Sequence, residues 1–293
     1  MRNLYTEGHT LASLSLSKRS PSWWPTASTD QLRQEFSDHR KLIKYLAGVP
    51  ESDVIGAIAP YLEISNNYVA ALEAEGYAYD FSMPSRKSPP AYYPHTLHYR
   101  SSLVDECVVK GCPTRSFNLW TFPMLDWIDP KTGRICGNQI DGCNVGNRAD
   151  KIYKFMLFNF NRHFEANRAP FPLYLRPGWL ESNYAARAEA LTRFLAHLEE
   201  LDSVYLVDFN SAYRYMNMPD DLRGSFGNAE WQECPGEGSL QPCTASNTIE
   251  CKYADIVPSY AQRWQPPVNI SFTTCAVTTC PPNYPFTGNP YGE

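Results

Sequence analysis

Short apolar segments alternate with amphipathic helices along the first 220 residues of the chain. This order of strand and helix is typical of a parallel sheet with helices packed outside it, so the sequence predicts an α/β fold. The predicted strands cover residues 12–17, 53–59, 77–80, 172–175 and 204–207. The first predicted helix runs from a capping box, Ser28 to Gln31, as far as Gly48, and the others cover 66–75, 150–166, 186–201 and 211–216.

The first predicted strand alternates strictly between apolar residues and serine from Ala12 to Ser17. Strict alternation indicates a strand with two different faces. The even face carries Leu14 and, at its far end, Lys18, whereas the serines are expected to face core neighbours or other strand ends. In an α/β barrel the carboxyl ends of the strands hold the chemistry. Lys18 therefore occupies a functional position, although a lysine is a poor metal ligand.

The chain contains nine cysteines, and none of them forms a C-x-x-C motif of the kind that binds zinc. Disulfides are the better interpretation, and they indicate an oxidising compartment. Short loops suggest two local pairs, Cys107 with Cys112 and Cys136 with Cys143. The remaining five cannot all pair among themselves: Cys234, Cys243, Cys251, Cys275 and Cys280. Asn269 begins an N-glycosylation sequon, which also fits secretion.

The amino-terminal residues contain no export signal, which conflicts with a disulfide-rich, secreted chain. The simplest explanation is that an upstream segment is missing, together with a signal peptide and a tenth cysteine. We predict an amino-terminally incomplete barrel over residues 1–220, with a loop insertion at about 81–146. Residues 221–293, rich in Cys and Pro, are expected to form a disulfide-bonded extension packed on the same domain.

Composition narrows the range of partners. The net charge of −5 argues against nucleic acid or an anionic membrane surface as a partner. No apolar run approaches the roughly 20 residues that a membrane helix needs. Aromatic residues make up 14% of the chain, and their flat faces suit sugar rings as well as a packed core.

Several motifs, in order along nearly the whole chain, resemble the animal chitin deacetylases of the polysaccharide deacetylase family (carbohydrate esterase family 4). They include Ser13–Arg19, Val54–Tyr61, Tyr79–Met83, Pro89–Leu97, Cys112–Ser116, Asn159–His163, Asn167–Phe171 and Cys280–Phe286. The resemblance implies a distorted (β/α) barrel that lacks its first strand, and a secreted protein acting on chitin or chito-oligosaccharide. Members of the family use zinc to activate the attacking water.

Four positions depart from the family pattern. Leu14 and Lys18 stand where the resemblance implies zinc-binding histidines, Ile58 where it implies an arginine, and Arg176 where it implies a catalytic histidine. The family's aspartate motif would precede Met1. Leucine cannot coordinate zinc, and cationic side chains repel it, so the sequence predicts no metal and no bound cofactor.

The sequence therefore favours a pseudoenzyme that binds N-acetylglucosamine polymers without deacetylating them. Candidate binding residues are Tyr61, Tyr93, Trp179 and Arg176; the aromatic ones can equally be buried scaffold. The alternative is an active metal-dependent deacetylase with an atypical site, for which His95 and His98 are candidate ligands, or with a site supplied by an upstream segment.

Overall fold

The structure is a computed structural model that describes residues 1–17, 19–84, 90–99, 109–218, 240–257 and 267–293. The predictions made for Lys18, Cys107 and Cys234 lie outside these residues. The helices of the described part are α1 Arg2–Thr6, α2 Thr29–Ala47, α3 Asn66–Ala74, α4 Ala149–Phe164, α5 Pro177–Glu181, α6 Tyr184–Glu199 and α7 Phe209–Asn217. The strands are β1 Gly56–Ala57, β2 Tyr79–Asp80, β3 His95–Thr96, β4 Trp120–Thr121, β5 Trp127–Ile128, β6 Ile135–Gly137, β7 Ile249–Ile256 and β8 Val268–Thr274.

The mixed α/β composition agrees with the predicted fold class. The chain falls into two compact units, the first made of Met1–Asp80, Gly111–Trp120 and Asp208–Glu293. The second contains Phe81–Lys110 and Thr121–Val207. Among the helices of the described residues, none is both long and apolar enough to cross a bilayer.

Helix α2 is the centre of the first unit. Its predicted capping box is present, because the Ser28 hydroxyl accepts from the Gln31 amide and the Gln31 side chain accepts from the Ser28 amide. Gly48 ends the helix with φ of 73°, a left-handed conformation that glycine adopts without steric cost. Phe36 on its buried face contacts Tyr68 of α3, with the two ring centroids 5.4 Å apart. The predicted helix, its capping box and its end at Gly48 are therefore confirmed.

The strands of the first unit are shorter than predicted. β1 pairs in parallel with β2, with Gly56 opposite Tyr79, and a 3-10 turn over Glu51–Asp53 replaces the start of the predicted strand 53–59. The predicted strand 12–17 is reduced to a single parallel bridge between Ser13 and Ala57. Ser15 has φ of 77°, which takes the backbone out of the extended conformation directly after Leu14.

The alternation between residues 12 and 17 still decides which side chains are buried. Ser13, Ser15 and Ser17 are buried, as predicted, whereas Leu14 is 43% exposed. Helix α2 provides polar partners for this serine face, since His39 Nδ1 lies 2.8 Å from Ser13 Oγ. Glu35 of the same helix accepts from the Ser17 hydroxyl, whereas the buried Ser15 hydroxyl has no hydrogen-bond partner among the described residues.

The carboxyl-terminal segment forms the β7–β8 hairpin, with Cys251 opposite Phe272. Two disulfides hold it, Cys243–Cys275 and Cys251–Cys280. The predicted Cys136–Cys143 disulfide is present in the second unit. Cys112 is also disulfide-bonded, while its predicted pairing with Cys107 falls outside the described residues.

The second unit is built on α4 and α6. Phe160 of α4 contacts Phe194 of α6, with the ring centroids 6.0 Å apart, and Trp127 of β5 packs on Phe155. Asn159 lies in this core, where its side chain both accepts from the Ile128 amide at 2.8 Å and donates to the Ile128 carbonyl at 3.1 Å. The predicted helices are therefore confirmed in this unit to within a few residues.

Two predicted strands in the second unit are wrong. Residues 172–175 and 204–207 form no strand in the described structure. Tyr174 is held instead by its hydroxyl, which donates to the Phe81 carbonyl at 3.2 Å, and by stacking of the two rings. Leu206 and Val207 are each 49% exposed. Apolar composition alone does not make a strand without a neighbouring backbone to pair with.

Candidate functional site

Two of the four positions at which we expect a departure from the family pattern lie side by side. The Ser13 amide donates to the Gly56 carbonyl and the Ile58 amide donates to the Ser13 carbonyl, each at 2.9 Å. Leu14 and Ile58 therefore each follow the Ser13–Ala57 bridge by one residue. Because side chains alternate along extended backbone, this register places both on the face opposite Ser13. Neither side chain carries an atom that can bind a metal or move a proton.

Tyr61 follows this pair on a strained turn. The 3-10 turn Pro60–Leu62 holds Tyr61 at φ of 57° and Leu62 at φ of 59°, both in the left-handed region. Such conformations cost of order 1–3 kcal/mol for non-glycine residues and are common at ligand sites. The Tyr61 side chain is 52% exposed, so part of its aromatic ring is available to a ligand.

Arg176 lies in the second unit, in a cleft of about 600 Å³ that also contains Asp141 and Trp179. Its Nε donates to Asp141 Oδ2 at 2.6 Å. Asp141 is held on the 3-10 turn Ile140–Gly142, inside the loop closed by Cys136–Cys143. The pair is a surface ion pair with Arg176 two-thirds exposed, so other N–H groups of the guanidinium remain available to a ligand.

Trp179 is mostly scaffold. It is only 7% exposed and belongs to the core around Phe155 and Phe194, although one edge lines the cleft. The Arg187 guanidinium carbon lies 5.1 Å from the Trp179 ring centroid, and Arg187 also donates to the Trp179 carbonyl. Stacking of a sugar on the full face of this ring would require Arg187 to move.

Tyr93 presents its ring to solvent. It is 47% exposed, and its hydroxyl donates to the Asn167 carbonyl at 2.6 Å. Asn167 in turn donates from Nδ2 to the Ala91 carbonyl at 2.6 Å, which fixes the segment that carries Tyr93. A pre-positioned, half-exposed aromatic ring is suited to contact a ligand without a large entropy cost.

The two histidines considered as alternative ligands are not part of a metal-binding cluster in the described structure. His95 Nδ1 lies 3.0 Å from the Tyr93 carbonyl, and His98 packs edge-on against Tyr99. Across the ranges that the structure describes, no group of three His, Cys, Asp or Glu side chains could hold a metal ion. At Leu14 and Ile58 the donor set does not fit zinc.

Sequence reasoning missed the acidic partner of Arg176. Asp141 is 35 residues away along the chain, so no local spacing connects the two. The one available signal was the short Cys136–Cys143 loop, because a disulfide of this size fixes whatever polar residue it encloses.

The two units thus define a mixed α/β protein with a disulfide-bonded carboxyl-terminal segment. No family model matches the sequence. The chain is, however, similar over its whole length to chitin deacetylase 8 of Bombyx mori, with 28% identity over 300 residues and 73% of that protein covered. It is 26% identical over 305 residues to chitin deacetylase 1 of Bombyx mori, of which it spans about half, 54%. The chain is therefore chitin deacetylase-like in its sequence, over its whole length.

Proposed function

We propose that this protein binds chitin, or another polymer of N-acetylglucosamine, without deacetylating it. The observation that carries the proposal is the pairing of Leu14 and Ile58 on one face, at two positions where the family resemblance implies polar catalytic groups. A metal-activated water needs nitrogen or oxygen ligands and a base beside it. Two aliphatic side chains at that place supply neither, so we derive no metal-dependent step for this chain.

The proposal includes the finer architecture implied by the family, a distorted (β/α) barrel without its first strand. In support, Ser13 pairs on one side with Ala57 and has no second strand partner among the described residues. It also includes secretion, which the disulfides and the exposed sequon residue Asn269 support. Both relatives are named as chitin deacetylases, which supports chitin as the ligand.

Chitin binding would use the exposed aromatic and cationic side chains among the candidate binding residues. Tyr61 and Tyr93 offer aromatic faces to sugar rings, and Arg176 offers N–H donors to the carbonyl of an N-acetyl group. Asp141 keeps the guanidinium in place and offsets its charge, so the cleft suits a neutral ligand better than an anion. None of these contacts requires chemistry at Leu14 or Ile58.

The test is a pull-down on insoluble chitin, combined with elemental analysis and an assay of acetate release from chitin oligomers. We expect retention on chitin, no stoichiometric zinc and no acetate. Arg176→Ala should weaken retention several-fold, because it removes the N–H donors that face the cleft. Arg193→Ala is the matched control, since Arg193 is also exposed and paired with an aspartate, Asp150, but lies outside the cleft.

Two outcomes would contradict the proposal. Tightly held zinc together with acetate release that stops under chelation would establish the alternative, an active deacetylase with an atypical metal site. Failure of the wild-type protein to bind chitin above background would show that the scaffold has lost its carbohydrate affinity as well as its catalytic groups.

A further inference from the structure

A large groove is formed by the carboxyl-terminal residues of the first unit. It has a volume of about 990 Å³, at the upper end of the range for ligand sites. Its walls come from β7, from the final residues of the chain and from Leu16 and Ser17. Leu16 stands two residues after Leu14, so the groove continues along the segment that carries the degenerate site. We call it the wrap groove.

One wall of the wrap groove is aromatic and rigid. Tyr253 is fixed by its hydroxyl, which donates to the Pro281 carbonyl at 2.9 Å, and by stacking on Phe272, with centroids 5.8 Å apart. Tyr284 packs against Tyr253 at 5.6 Å. Phe286 extends this wall and is 46% exposed. An exposed phenylalanine held beside half-buried tyrosines is a surface that a flat, partly apolar ring can cover.

The position of Phe286 is set by buried charges. Phe286 and Asn289 exchange two backbone hydrogen bonds across a tight turn. Thr287 Oγ1 donates to buried Glu35 at 3.0 Å, and the Gly288 amide donates to Asp38 at 2.7 Å. Two carboxylates of α2 therefore hold the turn that presents an apolar side chain to solvent. Pre-organisation of this kind lowers the entropy cost of binding.

The strand that carries Tyr253 is distorted directly after this residue. The β7–β8 register shifts between Tyr253 and Ile256, and Asp255 within this bulge has φ of 54°. Asn269 accepts a hydrogen bond from the Asp255 amide at 3.3 Å and so stabilises the bulge. Bulges redirect side chains and are enriched beside functional sites. Here the bulge carries an exposed carboxylate that lines the groove together with the aromatic residues.

The combination of groups selects one class of ligand. Flat rings match the apolar faces of sugars, and the carboxylates of Asp255 and Glu293 accept hydrogen bonds from hydroxyl groups. A polyanion such as nucleic acid would instead be repelled by these two carboxylates. We propose that the wrap groove is an accessory subsite for a β-1,4-linked N-acetylglucosamine chain. This inference rests on the proposed function and adds a second contact surface to it.

The test compares the wild-type chain of 293 residues with Phe286→Ala and Asp255→Asn in binding to insoluble chitin and to a soluble hexamer of N-acetylglucosamine. We expect each variant to bind about three- to tenfold more weakly, from the loss of a stacking ring or a charged acceptor. Hydrogen exchange should show protection by the hexamer at residues 252–257 and 282–289. Tyr291→Ala is the matched control, because Tyr291 is an exposed aromatic of the same segment that lies outside the groove.

Three outcomes separate this inference from the proposed function. If the wild type binds but both groove variants bind equally well and protection appears elsewhere, the groove assignment is wrong and the proposed function stands. If the wild type does not bind, both fail. If Phe286→Ala abolishes a concentration-dependent dimer while chitin binding is unchanged, the groove is an interface between copies of this chain, and the subsite is excluded.

Discussion

Glu35→Ala is expected to lower the free energy of unfolding of the first unit by about 3–5 kcal/mol. Glu35 is fully buried on α2 and accepts hydrogen bonds from the Ser17 amide at 2.9 Å, from Arg19 Nε at 3.2 Å and from Thr287. Alanine leaves these donors without an acceptor and leaves the Arg19 guanidinium unpaired. Removal of one partner from a buried network costs more than the bond itself contributes. Urea unfolding at neutral pH measures the loss.

Two further variants test whether the lost stability comes from the buried hydrogen bonds of Glu35. Glu35→Gln keeps the size and one acceptor oxygen, so it should cost less, about 1–3 kcal/mol. Asp30→Ala removes a carboxylate from the same helix whose side chain is 92% exposed, and it should cost less than about 1 kcal/mol. If Glu35→Ala unfolds within 1 kcal/mol of the wild type, the three segments joined by Glu35 do not depend on it.

The helices could be predicted because their signals are local. Ser28, Gln31 and Gly48 mark the ends of α2 within the sequence itself, and apolar residues at helical spacing define its buried face. The strands depend on partners far along the chain, and there the prediction was weaker. Residues 12–17 have ideal alternation, yet only Ser13 pairs, because the positive φ at Ser15 ends the extended segment. No local pattern reports that limit.

For the candidate site, too, the sequence predicted the residues themselves but not their partners. The identities of Leu14, Ile58 and Arg176 were available from motif order, and their lack of zinc-binding donors followed from side-chain chemistry. The residues that contact the candidate site in the structure could not be predicted from the sequence. The burial of Glu35 against the serines could not be predicted, because its partners Ser17 and Thr287 lie in other segments of the chain. Burial of a charged side chain can be predicted only when its partners are known, because burial of an unpaired charge has a large desolvation cost.

The same helix makes the stability of the protein dependent on pH. Burial lowers the pKa of His39 to about 4 from its ordinary 6.5, against the opposing effect of Glu35. Burial, followed by the charge of Arg162, lowers the pKa of His163 in the second unit to about 4, against Asp126. The folded state therefore holds both imidazoles neutral, while the unfolded chain binds protons below about pH 6.5. Stability is complete above pH 6.5 and is lost as the pH falls toward 4.

The expected loss approaches about 3.5 kcal/mol for each histidine as the pH falls from 6.5 to below 4, since the gap in pKa from about 4 to 6.5 is multiplied by about 1.4 kcal/mol per pH unit. Denaturant-dependent hydrogen exchange, read separately on peptides of the two units, measures the slope of each. His163→Phe should flatten the slope of the second unit and leave that of the first unchanged, because the phenylalanine ring fits beside Phe171 and cannot be protonated. His9→Ala, at an exposed histidine, should alter neither slope. An unchanged slope in His163→Phe would mean that the imidazole is charged in the folded protein, and that Asp126 stabilises the charge more strongly than burial and Arg162 oppose it.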